Sequence, residues 1–247
     1  MIYRDILNAP HTLIAGTTGS GKSVLMNGII TTFIENVPKE KAYMVLIDPK
    51  RVEFSIYANT EHCAAYADEL TDIIAVLDTA IGVIGDRYEL MKKQRTRRYT
   101  GREVYIFVDE LADLMISPKG KEIKTKLQKI LQIGRAAGVH VIAATQAPNR
   151  KVIPAELVLN FTDRIALRCL SAIESRQIIN ASGAESLPRY GEGIYMSPNG
   201  YEKVNIPFIS DAQAESIARK HSVSSPRPQR RPSILAALFG NSRFARA

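Results

Sequence analysis

Residues 16–23 read GTTGSGKS, and this stretch decides the fold. Four residues separate Gly16 from Gly21, and Lys22 and Ser23 follow, which is the complete pattern of a phosphate-binding loop, the Walker A motif. The apolar run 11–15 precedes the loop, and apolar residues at helical spacing over 23–35 follow it. A strand, a glycine-rich loop and a helix in this order predict backbone N–H groups that converge on the phosphates of a nucleotide.

The side chains of this loop have distinct expected roles. Lys22 would reach the β- and γ-phosphates of ATP, and Ser23 would ligate Mg²⁺. ATP and Mg²⁺ are therefore the expected cofactors. Nucleotide contacts are expected from Gly16, Thr17, Thr18, Gly19, Ser20, Gly21, Lys22, Ser23 and Val24.

A pair of acids follows the apolar run 103–108 and is a candidate Walker B motif. Because parallel strands end at one edge of a sheet, Asp109 and Glu110 would lie beside the phosphate-binding loop. Asp109 would hold Mg²⁺ directly or through water, and Glu110 would orient or deprotonate the attacking water. Asp48 also follows an apolar run, but it is equally compatible with a simple turn before Pro49.

Two further polar residues are candidates for the site, each with an ordinary alternative. Gln146 ends the apolar run 139–144, where it would contact the γ-phosphate or the attacking water, or be a polar strand end. Arg135 precedes that run, where it would cap a helix or project into a neighbouring subunit's site as an arginine finger. Arg164, Arg168 and Arg176 are alternative candidates for the finger.

Apolar runs and helical patterns alternate along most of the chain. Further strands are expected at 42–47 and 164–170, and a hairpin over 193–206 around Pro198-Asn199-Gly200. Further helices are expected at 68–98, 121–137, 172–181 and 211–220, the second stopped by Gly138 and the last with Asp211 as its N-cap. This order predicts an α/β fold with a mostly parallel sheet, helices on both faces and a small C-terminal hairpin.

Charge and composition divide the chain into a domain over 1–221 and a tail over 222–247. The net charge is +8, and the tail holds five arginines and no acid. Its Pro, Ser and Arg content predicts flexibility, although its apolar end would also suit docking on a partner, membrane-surface contact or packing on the domain. A second basic run, over 92–102, is either a solvated helix end or a phosphate-facing patch.

Other classes of protein are disfavoured. No stretch approaches 18 consecutive apolar residues, so we expect no membrane span, and the N-terminus lacks the features of a signal peptide. Cys63 and Cys169 lie far apart without metal-like spacing. We therefore expect free thiols and a cytoplasmic protein.

Together these motifs resemble the FtsK/SpoIIIE family of DNA-translocating ATPases, specifically its RecA-like motor domain. The resemblance implies ATP hydrolysis in a hexameric ring that moves double-stranded DNA through its channel. It also implies that Gln146 is the sensor, that Arg135 acts on a neighbour and that Arg176 faces DNA. The resemblance covers about 9–209 and is carried by 10–25, 47–50, 87–88, 108–115, 135–140, 144–146, 175–176 and 183–187.

The departures from the family pattern concern DNA and the flanking domains. Val158 and Ala172 stand where the family tends to have lysines, and Arg150 and Lys151 would replace them. We expect this chain to lack the family's upstream domain, membrane anchor and C-terminal winged helix. We therefore expect sequence-independent DNA binding, and either a fragment, a stripped-down motor or a chain that works with a separate upstream or loading protein. A protein-secretion ATPase and an ATP-regulated DNA tether are the alternatives.

Overall fold

All strands in the described part of the chain join one sheet. The computed structural model describes residues 9–146 and 149–223. The strands are β1 (His11–Ala15), β2 (Ala42–Ile47), β3 (Cys63–Ala67), β4 (Glu103–Val108), β5 (Val139–Thr145), β6 (Asp163–Ala166), β7 (Glu192–Ser197) and β8 (Gly200–Asn205). The helices are α1 (Lys22–Asn36), α2 (Leu70–Gln94), α3 (Leu111–Ile116), α4 (Gly120–Ile133), α5 (Ala155–Val158), α6 (Ala172–Ile179) and α7 (Asp211–Lys220).

The sheet is mostly parallel, as the alternation of strands and helices predicts. Its order is β3-β2-β4-β5-β1-β6-β7-β8, where β1 to β6 run parallel and β7 runs antiparallel to both of its neighbours, β6 and β8. The predicted hairpin therefore extends the main sheet rather than forming a separate unit. Since β1, β2, β4 and β5 run in one direction, the residues that follow them share one edge, called here the C-terminal edge. The opposite edge is called the N-terminal edge.

Helices cover both faces of the sheet and bury its alternate residues in two layers. Along β1, Leu13 packs into the layer beneath α2 and α4, whereas Ile14 packs into the layer beneath α1 and α7. Because β1, β2, β4 and β5 are buried on both faces, they appear in the sequence as nearly continuous apolar runs. The predicted α/β fold of the RecA-like type is confirmed.

Several predicted boundaries were wrong for local reasons. The helix predicted over 121–137 ends at Ile133, and Arg135–Ala137 forms a 3₁₀ turn closed by Gly138 in a left-handed conformation, φ 64°. The strand predicted over 164–170 ends at Ala166. The N-cap of α7 is Ser210, not Asp211, since the Ser210 hydroxyl accepts from the Gln213 amide in a capping box.

Three short elements, β3, α3 and α5, have no counterpart in the sequence prediction. β3 is a five-residue edge strand rich in alanine, and α3 and α5 have six and four residues, too few to show a helical period. Pairing continues to Val223, whose amide donates to the Asn59 carbonyl at 3.0 Å. The rest of the predicted tail, 224–247, lies outside the described residues. No helix in the described ranges has the length and apolarity needed to cross a membrane.

Candidate nucleotide site

The phosphate-binding loop follows β1 at the C-terminal edge and depends on its glycines. Gly21 has φ 97°, a left-handed conformation that L side chains rarely adopt. Gly16 is closely packed, because a Cβ atom there would lie 2.7 Å from Ser20 Oγ and 2.8 Å from Leu167 Cβ. The loop leads directly into α1, whose first turn carries Lys22, Ser23 and Val24. The predicted strand, loop and helix are thus confirmed.

Lys22 spans the inside of the loop. Its Nζ donates to the Gly16 carbonyl at 2.8 Å and the Thr17 carbonyl at 3.0 Å. Burial lowers the pKa of Lys22 to about 8, although the negative charges of Glu110 and Asp109 oppose that shift. Lys22 is therefore a partly desolvated cation that an incoming phosphate would stabilise.

The two acids after β4 lie beside the loop but in different environments. Glu110 is 3% exposed, and its carboxylate accepts from the Thr145 hydroxyl at 2.8 Å and from the Gln146 amide at 3.0 Å. Asp109 is half-buried. Burial, followed by the charges of Glu53, Asp48 and Glu110, raises the pKa of Asp109 to about 7. This clustering of negative charge would be relieved by a bound cation.

Gln146 joins the loop to the acid pair. Its side-chain Oε1 accepts from the Thr18 hydroxyl at 2.7 Å, and its backbone N–H donates to both carboxylate oxygens of Glu110. A residue bonded to the loop at one end and to Glu110 at the other can transmit a change in either. The structure therefore brings together Lys22, Ser23, Asp109, Glu110 and Gln146, as the sequence predicts.

The segment over 48–54, called here the β2 loop, belongs to the site and was not assigned to it from the sequence. Asp48 is fully buried, and its carboxylate accepts from the amides of Phe54 at 3.0 Å and Val52 at 3.4 Å. Glu53 accepts a hydrogen bond from the Ser23 hydroxyl at 2.9 Å. Lys50 Nζ lies 3.3 Å from the Asp113 carboxylate. The position of Asp48 after a parallel strand is the sequence signal that places this loop at the C-terminal edge.

Arg189 is a second residue that sequence reasoning missed. Its guanidinium lies over the loop, with Nη2 3.3 Å from the position that a Cβ on Gly19 would occupy. The segment between α6 and β7 carries Arg189, and no motif marks it. Its proximity to Gly19 therefore follows from chain folding.

Arg135 lies away from this site. It is exposed in the 3₁₀ turn before β5, at the N-terminal edge, whereas Gln146 follows the same strand at the other edge. The seven residues of β5 separate the two ends by about 20 Å. Arg135 therefore cannot complete the site of its own chain.

The alternative finger candidates have different surroundings. Arg164 is 3% exposed and donates to the Phe161 and Ile178 carbonyls, both at 2.9 Å, so it is a buried structural residue. Arg168 and Arg176 are exposed, and the backbone carbonyl of Arg168 accepts from the Thr17 amide at 2.9 Å. Because its guanidinium is buried and bonded within its own chain, Arg164 is excluded as an arginine finger.

The basic run over 92–102 lies next to the Arg135 turn. The Tyr99 amide donates to the Ala136 carbonyl at 2.9 Å, and the residues over 92–98 are exposed. This run therefore does not face the phosphate-binding loop of its own chain.

The predicted DNA-binding residues are exposed in two separate segments. Arg150 and Lys151 lie between β5 and α5, and Arg176 lies on α6. Val158 is only 8% exposed and packs in the core beneath α4. A lysine at position 158 would have to leave that core, so the valine suits its position.

Comparison with known proteins finds the same family that the sequence motifs resemble. Residues 1–106 match the model of the FtsK/SpoIIIE family. The chain is 33% identical over 258 residues to the DNA translocase FtsK of Caulobacter vibrioides, covering 87% of this chain and 31% of that protein. It is 36% identical over 235 residues to the DNA translocase FtsK of Helicobacter pylori, covering 86% of this chain and 27% of that protein. The chain thus spans less than a third of the length of these relatives.

Solved structures share the fold at lower identity. The pCW3 conjugation coupling protein TcpA, in its monomer form with ATPγS, superposes with a TM-score of 0.77 at 20% identity, covering 89% of this chain and 67% of that one. The cytoplasmic domain of the type VII secretion ATPase EccC from Thermomonospora curvata superposes with a TM-score of 0.74 at 22% identity, covering 89% of this chain and 28% of that one. In its site geometry, in residues 1–106 and in its identity to these translocases over most of its length, the chain matches the FtsK/SpoIIIE family.

Proposed function

We propose that this chain is the motor of an ATP-dependent double-stranded DNA translocase and hydrolyses ATP within an oligomeric ring. One observation carries the proposal: the phosphate-binding residues and Arg135 lie at opposite edges of one sheet, about 20 Å apart. A neighbouring copy would bring its Arg135 to this chain's phosphates, so the site is complete only between subunits. The relatives named DNA translocase suggest that the motor moves along DNA.

ATP and Mg²⁺ are the proposed cofactors, and the residues present fit them. The glycine loop and the N-terminus of α1 present N–H groups to phosphates, and Ser23 and Asp109 are the hard oxygen donors that Mg²⁺ prefers. When bound, Mg²⁺ would neutralise charge that develops on the β- and γ-phosphate oxygens.

Three residues of the chain have separate proposed roles in hydrolysis. Lys22 exchanges its two loop carbonyls for phosphate oxygens. Glu110, held in place by Thr145 and the Gln146 amide, orients the attacking water and accepts its proton. The side chain of Gln146 would exchange its bond to Thr18 for one to the γ-phosphate. Because the backbone N–H of Gln146 donates to Glu110, the presence of ATP would then affect the position of Glu110.

Arg150, Lys151 and Arg176 are proposed to contact the DNA backbone within a ring, which the family resemblance suggests is hexameric. Such contacts would be independent of sequence and weakened by salt. A separate upstream or loading protein would place the ring on DNA. Because ATP and DNA are both found in the cytoplasm, the proposed function also places the chain there.

The test is the ATPase rate with and without duplex DNA at low salt, together with mass measurement in ATP and Mg²⁺. We expect stimulation by several-fold, which a triple Arg150→Ala, Lys151→Ala, Arg176→Ala variant loses and an Arg219→Ala control on α7 keeps. A rate indifferent to DNA would refute translocation. Stimulation by an exported peptide instead would favour the secretion alternative.

A further inference from the structure

We infer that Glu53 is a positioning residue that fixes the hydroxyl of Ser23 for the metal ion, so that the β2 loop is a third element of the nucleotide site beside the two Walker motifs. This inference rests on the proposed binding of ATP with Mg²⁺. It concerns a side chain to which neither the Walker A nor the Walker B pattern assigns a role.

The hydrogen-bonding capacity of a serine hydroxyl is the first argument. The hydroxyl has one proton and two lone pairs, and Ser23 Oγ donates its proton to Glu53 Oε1 at 2.9 Å. Donation in that direction leaves the lone pairs of Ser23 for a cation. Without Glu53 the hydroxyl would rotate freely, and the lone pairs would have to be oriented at the moment of binding. Partners of metal ligands act in this way at other sites.

The second argument is that Glu53 is itself held in place. The buried carboxylate of Asp48 accepts from the backbone amides on both sides of Glu53, at Val52 and Phe54. The Tyr66 hydroxyl donates to the same carboxylate at 3.3 Å. A simple turn residue would be solvated, whereas Asp48 is 0% exposed. Burial of a carboxylate is costly unless its bonds are used, and here they shape the backbone that carries Glu53.

The third argument is that the 3₁₀ turn directly after the β2 loop, Ser55–Tyr57, is fastened to α1. The Tyr57 hydroxyl donates to Asn27 Oδ1 at 2.9 Å, and both residues are buried. Asn27 lies one turn beyond Ser23 on α1. The bond between Glu53 and Ser23 is therefore held by a rigid segment on each side, unlike a chance contact between two surface side chains.

The β2 loop also contacts the Walker B side of the site. Lys50 Nζ lies 3.3 Å from Asp113 and 4.0 Å from Glu110. One segment thus contacts the P-loop serine through Glu53 and the acid pair through Lys50. This arrangement couples the two motifs through a single backbone.

The test measures binding of a fluorescent ATP analogue with Mg²⁺ and with EDTA. We expect Glu53→Ala to raise the Mg²⁺ concentration for half-maximal binding about tenfold and to leave affinity in EDTA unchanged. Glu53→Gln keeps an oxygen that accepts from Ser23, so it should restore the Mg²⁺ requirement to within about threefold of the parent. Glu215→Ala, an exposed acid on α7, is the matched control and should change neither value.

A double-substitution cycle separates this role from a general effect on the loop. Ser23→Ala with Glu53→Ala should be no worse than Ser23→Ala alone, because the partner is already lost. The inference would be overturned if Glu53→Ala weakened nucleotide binding equally with Mg²⁺ and with EDTA. It would also be overturned if Glu53→Gln required as much Mg²⁺ as Glu53→Ala. Failure of DNA to stimulate the parent ATPase would refute translocation and leave this result untouched.

Discussion

The two edges of the sheet are built in opposite ways. At the C-terminal edge, functional side chains make hydrogen bonds that a nucleotide can replace. Lys22 donates to two loop carbonyls, and the Thr18 hydroxyl donates to Gln146. At the N-terminal edge, Arg87 is 7% exposed and donates to the carbonyls of Ala137, Gly138 and Arg102. One edge is thus set up for exchange and the other for rigidity.

The rigid edge has further support from buried rings. His11 accepts from the Val141 amide at 3.1 Å, and the His140 ring stacks on Tyr105 with centroids 4.7 Å apart. Arg87 stacks over the Tyr99 ring at 4.1 Å. The exposed Arg135 therefore projects from a turn that is fastened on its sheet side. The proposed action of Arg135 on a neighbouring subunit would draw on this fixed base, whereas binding of a nucleotide would draw on the replaceable contacts at the C-terminal edge.

The largest expected effect comes from the exchangeable edge. Lys22→Ala should abolish ATP hydrolysis and weaken nucleotide binding, because the phosphates lose their cation. Fluorescent nucleotide titration and phosphate release measure the two effects. Lys39→Ala, an exposed lysine paired with Glu61, is the control and should behave like the parent. Retained hydrolysis in Lys22→Ala would show that phosphate is bound elsewhere.

Removing Arg135 should separate binding from catalysis. Arg135→Ala should lower the rate of hydrolysis by about 10³-fold and leave nucleotide affinity unchanged, because the side chain lies at the opposite edge from its own loop. Mixing Arg135→Ala with Lys22→Ala chains should restore activity, since some interfaces then combine an intact loop with an intact arginine. Mixtures that stay inactive while they co-assemble would contradict action between subunits.

Loss of Arg87 should destabilise the rigid N-terminal edge. Arg87→Ala removes the donor for three backbone carbonyls and should lower the free energy of unfolding by about 3 kcal/mol. Urea unfolding followed by circular dichroism measures this change, and the exposed Arg97→Ala serves as control. A loss below about 0.5 kcal/mol would mean that Arg87 does not fasten the turn.

The smallest expected effect is a pH dependence at His11. Burial, followed by the charges of His140 and Arg135, lowers the pKa of His11 from 6.5 to about 3. Because this pKa is lower in the folded state, protonation favours unfolding, and the stability present above pH 6.5 is lost as the pH falls toward 3. His11→Asn keeps an acceptor for Val141 and cannot ionise. Its loss of stability between pH 7.5 and 5 should be about 2 kcal/mol smaller than the parent's by urea unfolding, and parallel curves would refute this.

Much of the candidate site could be predicted because its signals are local. The glycines, Lys22 and Ser23 make the loop by themselves, and Asp109, Glu110 and Gln146 each follow an apolar run that forms a parallel strand. The short elements could not be predicted in the same way, because α3 and α5 contain less than two turns. The end of α4 was misplaced because a 3₁₀ turn, Arg135–Ala137, stands between Ile133 and the stop residue Gly138.

The sequence by itself determined the phosphate-binding loop, the acid pair and the alternation that makes a parallel α/β sheet, since these depend on neighbours along the chain. Only the tertiary structure decided that Glu53 meets Ser23 and that Arg189 lies over Gly19. Those relations depend on strand order and on the path of loops between distant segments. No local pattern encodes them, because contacts across the sheet are set by the packing of the whole domain.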